Sequence, residues 1–121
     1  LRQQKEQRMM DLENTKAQMR KGVLELCILS ILYKQEAYPS DIITELKESK
    51  IIVVEGTLYP LLTRLKNGGI LTYRWEESSS GPPRKYYKLT EEGFKFFEEL
   101  KHEWELLVDS VKLTGIKKLN K

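Results

Sequence analysis

The part of this sequence best equipped for chemistry is one short polar face. Thr57, Tyr59, Pro60, Thr63, Arg64 and Lys66 share it, and Leu58, Leu61, Leu62 and Leu65 lie opposite. The leucines recur at i, i+3, i+4 and i+7, which places them on one stripe of a helix over Glu55–Asn67. Hydroxyls and a guanidinium on the other face can hydrogen-bond base edges, and a lysine suits phosphate. Tyr59 could instead cap the apolar stripe. Gly68-Gly69 offers the positive-φ residue that ends such a helix. Ile70 to Trp75 then reads as a β-branched and aromatic strand.

Other chemistries find little support. The single histidine, His102, sits between Lys101 and Glu103 without metal-ligand spacing and reads as solvated. No glycine-rich phosphate loop, nucleophile elbow or Cys-His cluster is present. The acid pairs Glu76-Glu77, Glu91-Glu92 and Glu98-Glu99 are adjacent in sequence and do not face each other on a helix. No catalytic residue, metal or cofactor is therefore expected, and the chain is not expected to be an enzyme.

The 121 residues suit one domain with a helical extension. At 40% hydrophobic and 32% charged, the chain has one small core and a helix-rich surface. No apolar run reaches the roughly 20 residues of a membrane span. The polar start shows no leader pattern. One cysteine, Cys27, cannot form an internal disulfide, so a cytoplasmic setting is expected, with Cys27 as a small core residue. The net charge of +3 permits nucleic-acid binding without requiring it. Its distribution is more informative. Thr72–Lys88 carries Arg74, Arg84, Lys85 and Lys88 against Glu76 and Glu77, whereas Glu91–Asp109 is acidic.

These groups need elements to hold them. Residues 1–20 read as a polar helix with Met9, Leu12 and Met19 sparsely spaced. Gly22–Gln35 is apolar almost all round, which predicts a helix buried on every side. Pro39 breaks the chain, and Ser40 is the expected N-cap of a third helix ending near Ser49. Ile51–Val54 is either a small strand closing a sheet or a linker. Pro60 is tolerated in a first helical turn, so the next helix should begin at Glu55 to Thr57. A hairpin follows, with strands Leu71–Glu77 and Arg84–Leu89 and a long tip over Ser78–Pro83. Tyr86 and Tyr87 alternate, so one should pack inward. Thr90 caps a last helix running to about Thr114. In it Phe94, Phe97, Trp104, Val108 and Val111 follow heptad spacing, with Phe96, Leu100 and Leu107 alongside. That is more apolar surface than one domain needs, and a two-fold partner is its simplest cover. A single wide core face is the other reading. The expected class is mainly α with a small β-hairpin.

Thr57-Leu58-Tyr59-Pro60-Leu61-Leu62-Thr63-Arg64-Leu65, followed by Gly69-Ile70-Leu71, resembles the signature of PadR-type transcriptional regulators. Gly81-Pro82-Pro83-Arg84-Lys85-Tyr86-Tyr87-Lys88-Leu89-Thr90-Glu91-Glu92-Gly93 resembles their wing and following helix start, and Lys21 to Leu32 their first core helix. The likeness spans about Arg20 to Val111. It departs at Tyr38-Pro39-Ser40-Asp41-Ile42, where a glycine-containing turn is frequent. It implies a winged helix-turn-helix with N- and C-terminal dimerisation helices. Residues 1–20 would be a helical extension, 21–90 the DNA-binding domain and 91–121 the dimerisation helix of the compact subgroup. It further implies a homodimeric repressor of double-stranded DNA, released in some members by a ligand or stress signal. Trp104 matches a tryptophan that lines an aromatic-binding pore in compact relatives; its other reading is an interface core residue.

On this basis the helix Glu55–Asn67 is expected in the major groove. Thr57, Tyr59, Pro60, Thr63, Arg64 and Lys66 would then face DNA, with Arg84 and Lys85 on the backbone or minor groove. Two alternatives stand beside it. One is a sensor whose main role is binding a small aromatic ligand at Trp104, Phe97 and Val108. The other is a protein-interaction module that reuses the fold without touching DNA.

Overall fold

The computed structural model of the chain describes residues 10–116. Four helices and one hairpin follow in the order α1 (Leu12–Lys34), α2 (Pro39–Glu48), α3 (Glu55–Asn67), β1 (Leu71–Ser78), β2 (Gly81–Leu89) and α4 (Glu91–Leu113). Residues 1–9 of the expected first helix lie outside the described residues. The described remainder of that helix and the second expected one form the single helix α1. Gly22 does not interrupt it, because one glycine costs a helix only about 1 kcal/mol. Asp11 caps α1 by accepting the Glu13 N–H at 3.0 Å.

The helix α1 is not buried on all sides. Leu24, Ile28, Leu29, Ile31 and Leu32 enter the core, whereas Ser30 and Tyr33 are exposed. Leu26 and Cys27 are only half-buried, so Cys27 is a core-edge residue rather than a core one. Burial raises the Cys27 thiol pKa.

The start of α2 also differs from expectation. Tyr38, not Ser40, is the N-cap, and Pro39 occupies the first helical position, where its fixed φ fits and its missing N–H is not needed. Asp41 accepts the Tyr38 N–H at 3.2 Å. At the other end Lys50 takes φ +70, with Lys50 N–H bonded to the Lys47 carbonyl at 2.9 Å and Ile51 N–H to that of Leu46 at 2.8 Å. This is a Schellman ending with a lysine in the usual glycine position. The same ending closes α3, where Gly69 takes φ +81 and Ile70 N–H bonds the Leu65 carbonyl at 3.0 Å.

Ile51–Val54 is a linker. The backbone that extends the sheet is instead Ala37, which exchanges two hydrogen bonds with Tyr87 at 3.0 and 2.9 Å. Leu58, Leu62 and Leu65 of α3 are buried against this framework, and Leu61 is half-buried. Pro60 is the sixth residue of α3, past the first turn. Its ring leaves the Gly56 carbonyl without an intrahelical donor, on an exposed stretch of the helix.

The strands pair antiparallel from Leu71↔Leu89 to Ser78↔Gly81, with a bulge between Glu76 and Ser78. The tip is a short Ser79-Ser80 turn, not the long loop that the Ser-Gly-Pro composition suggests. Pro82 and Pro83 fall inside β2. They are tolerated because the two together oppose Glu77 in the bulge, where the ladder of hydrogen bonds is interrupted. Tyr87 packs inward and Tyr86 stays half-exposed.

Thr90 ties α4 to the end of α3. Its hydroxyl accepts the Gly93 N–H at 2.9 Å and donates to the Gly69 carbonyl at 2.7 Å. Gly93 is buried so closely on Ile70 that a Cβ would lie 2.1 Å from the Ile70 carbonyl oxygen. Within α4 only Gly93 and Phe97 are fully buried. No described helix is long and apolar enough to cross a membrane.

Candidate nucleic-acid interface

A groove opens where α2, α3 and the hairpin meet. Tyr38 and Ser40 line it from the start of α2, Tyr59 and Thr63 from α3, and Trp75, Arg84 and Lys85 from the hairpin. Helical spacing explains the α3 pair. Tyr59 and Thr63 are one turn apart on the face away from Leu58 and Leu62, so both reach outward. Tyr59 is 45% exposed and therefore does not cap the core.

Aromatic rings hold the cations in place. The Arg84 guanidinium lies 4.0 Å over the Tyr38 ring, Tyr38 stacks on Tyr86 at 3.9 Å, and the Arg74 guanidinium covers Tyr86 at 4.7 Å. Arg74 also donates to Glu36 at 3.0 and 3.2 Å and to Glu76. These bonds raise the Arg74 pKa, and the Arg74 hydrogen bond lowers that of Glu36. The hydrogen bond with Tyr38, and then burial, raise the Tyr86 pKa. The stack fixes the hairpin against the entrance of α2. On its other side the Tyr73 ring lies within 5.7 Å of the Lys66 ammonium and 4.4 Å of that of Lys85. One ring thus gathers a cation from α3 and one from the hairpin.

The predicted site residues divide between two flanks of α3. Tyr59, Thr63, Lys66, Arg84 and Lys85 gather on the hairpin flank. Pro60 is exposed. Thr57 borders a separate hollow against α1. Arg64 turns toward α1 as well, where Glu25 accepts its hydrogen bond and raises its pKa. Tyr38, Ser40 and Trp75 join the groove without having been expected there. Their sequence signal is weak, because they come from a helix start and a strand whose approach to α3 is tertiary.

Of the residues named for a ligand, Phe97 and Trp104 line one hollow and Val108 lies apart from it. Phe97 is 6% exposed and packs on Tyr33 with ring centroids 5.0 Å apart, so it belongs to the core. Trp104 is 40% exposed and borders two shallow hollows, one between α1 and α4 and one bounded by α2 as well, which it shares with Cys27 and Phe97. Val108 is half-buried and borders neither. Among the described residues no cluster of His, Cys, Asp and Glu could hold a metal ion.

Helix and hairpin lie in the order the sequence motifs led us to expect, and known proteins share this fold. The sequence pattern described as "Transcriptional regulator PadR-like family" fits residues 28–99. The chain belongs to this family. A PadR-like transcription factor from Bacteroides fragilis is 59% identical, with a TM-score of 0.73, over 84% of this chain and 99% of its own. A PadR family transcriptional regulator from Eggerthella lenta is 34% identical, with a TM-score of 0.80, over 88% and 94%. One from Bacillus cereus is 38% identical, with a TM-score of 0.71, over 83% and 99%. The PadR-like chain is thus a transcriptional regulator with a winged-helix fold.

Proposed function

We propose that two copies of this chain bind double-stranded DNA as a homodimer and repress transcription. The observation that carries this reading is the groove between α2, α3 and the hairpin. It places hydroxyls for base edges beside cations suited to phosphate. In the complex, α3 enters the major groove. Tyr59 and Thr63 meet base edges, while Lys66, Arg84 and Lys85 meet the backbone. Residues 21–90 carry this surface and 91–121 the dimer contact, with 1–20 as an extension of which residues 12–20 run into the domain as part of α1. The second half of α4 supports the dimer. Trp104, Leu107 and Val111 are all at least 40% exposed and recur at i, i+3 and i+7, an apolar row on one face of α4 that the domain leaves uncovered. Two recognition helices would then sit about 34 Å apart, one turn of DNA. A dimer bound across a promoter excludes polymerase, so repression is the output we assign.

Fluorescence anisotropy with the duplex upstream of the protein's own gene tests the proposal. Tight binding that random duplex does not match is the expected result. Thr63→Ala should cost about 1 kcal/mol on that duplex and nothing on random sequence. Equal, weak affinity for both duplexes in wild type would overturn the assignment.

A further inference from the structure

The hollow on the other flank of α3 shares no residue with the groove on the hairpin side. Arg20 and Lys21 of α1 line it, together with the extended run Ile51–Val54 and Thr57 at the start of α3. Both cations are exposed, and no carboxylate lines the hollow. Their electrostatic state sets them apart from other arginines nearby. Arg74 is already engaged by Glu36 and Glu76, and Arg64 by Glu25. Among the described residues, Arg20, Lys21, Arg84 and Lys85 have no carboxylate at ion-pair distance. Of the cations lining the two hollows beside α3, these four thus keep their charge free, two on each flank.

We infer that Arg20 and Lys21 form a second phosphate-binding row, so that the recognition helix is flanked by the DNA backbone on its α1 side as well as its wing side. The inference rests on the DNA-binding reading above and extends its footprint onto α1. The Arg64–Glu25 ion pair supplies the geometry, because it ties α3 to α1 beside this row. A helix lying in the major groove has a phosphate strand on either side. A row on the wing side alone would leave one strand untouched.

The test uses the full chain and a fluorescein-labelled 30-bp duplex of random sequence, titrated from 50 to 200 mM KCl. Phosphate binding does not depend on sequence, so no operator is needed. Relative to wild type, Arg20→Gln/Lys21→Gln should reduce the slope of log affinity against log salt. The expected reduction is about 1.8 per bound subunit, which is about 0.9 for each phosphate no longer neutralised. Arg84→Gln/Lys85→Gln should do the same from the other row. An unchanged slope for the α1 variant beside a reduced slope for the wing variant would overturn the second row and leave the DNA-binding reading standing. If wild type shows no salt-dependent binding at all, both fall. Both double substitutions are at surface positions, and a thermal melt confirms that each variant is folded.

Discussion

Thr63 and Arg64 are neighbours in the chain and serve different surfaces. One hundred degrees of helix turn separates them. Thr63 opens into the groove beside Tyr59, whereas Arg64 leans back to Glu25 on α1. From the sequence both belong to one polar face, since nothing local reveals a carboxylate 39 positions earlier in the chain. The pair makes Arg64 a strut between α1 and α3. Glu25→Gln should therefore imitate Arg64→Ala, with both variants weakening promoter and random duplex alike. An anisotropy titration checks this. If Arg64→Ala alone lost promoter preference, Arg64 would be a base reader. The same limit explains Tyr38 and Trp75. Each is an ordinary aromatic in its own segment, and each joins the groove only once the hairpin folds against α2.

At the scale of elements, most boundaries were legible because the local physics is strong. The leucine stripe and Gly68-Gly69 place α3 at both ends, and Thr90 with Glu91-Glu92 marks the start of α4. The misses have local causes of their own. Lys50 ends α2 in a left-handed conformation that sequence signals reserve for glycine. Lys50→Gly should therefore raise stability by about 0.5–1 kcal/mol, measured by urea unfolding. The tip over Ser78–Pro83 looks like a loop by composition, yet Pro82 and Pro83 belong to β2, at the bulge opposite Glu77. The Glu36–Arg74 link holds the segment before α2 to the wing. The pKa of Glu36 is depressed in the folded chain, so its contribution is present above the unfolded value of about 4.3. That contribution disappears as pH falls through the lower folded value. Thermal melts from pH 6 to pH 2.5 should show an acid loss that Glu36→Gln lacks.

For the whole molecule, the decisive imbalance is in α4. Its first turns are fixed by Thr90 and by Gly93 packed on Ile70, and its later turns expose an apolar row. Leu107→Glu/Val111→Glu should halve the mass seen by sedimentation at micromolar concentration, because a charge on that row is costly to bury against a second copy. An unchanged mass would place the dimer contact elsewhere. Residue types and their spacing were enough for the helix order, the hairpin, the core stripe of α3 and the family likeness. Each of these depends on interactions within about a turn or a strand pair, where residue type and spacing act directly. It took the folded chain to show that the described part of the first expected helix runs on into the second, that Ala37 extends the sheet, and that the cations divide between two flanks of α3. Those outcomes depend on which distant side chains meet, and a carboxylate pairs with a cation, or a ring holds one, only when packing brings them within a few ångströms.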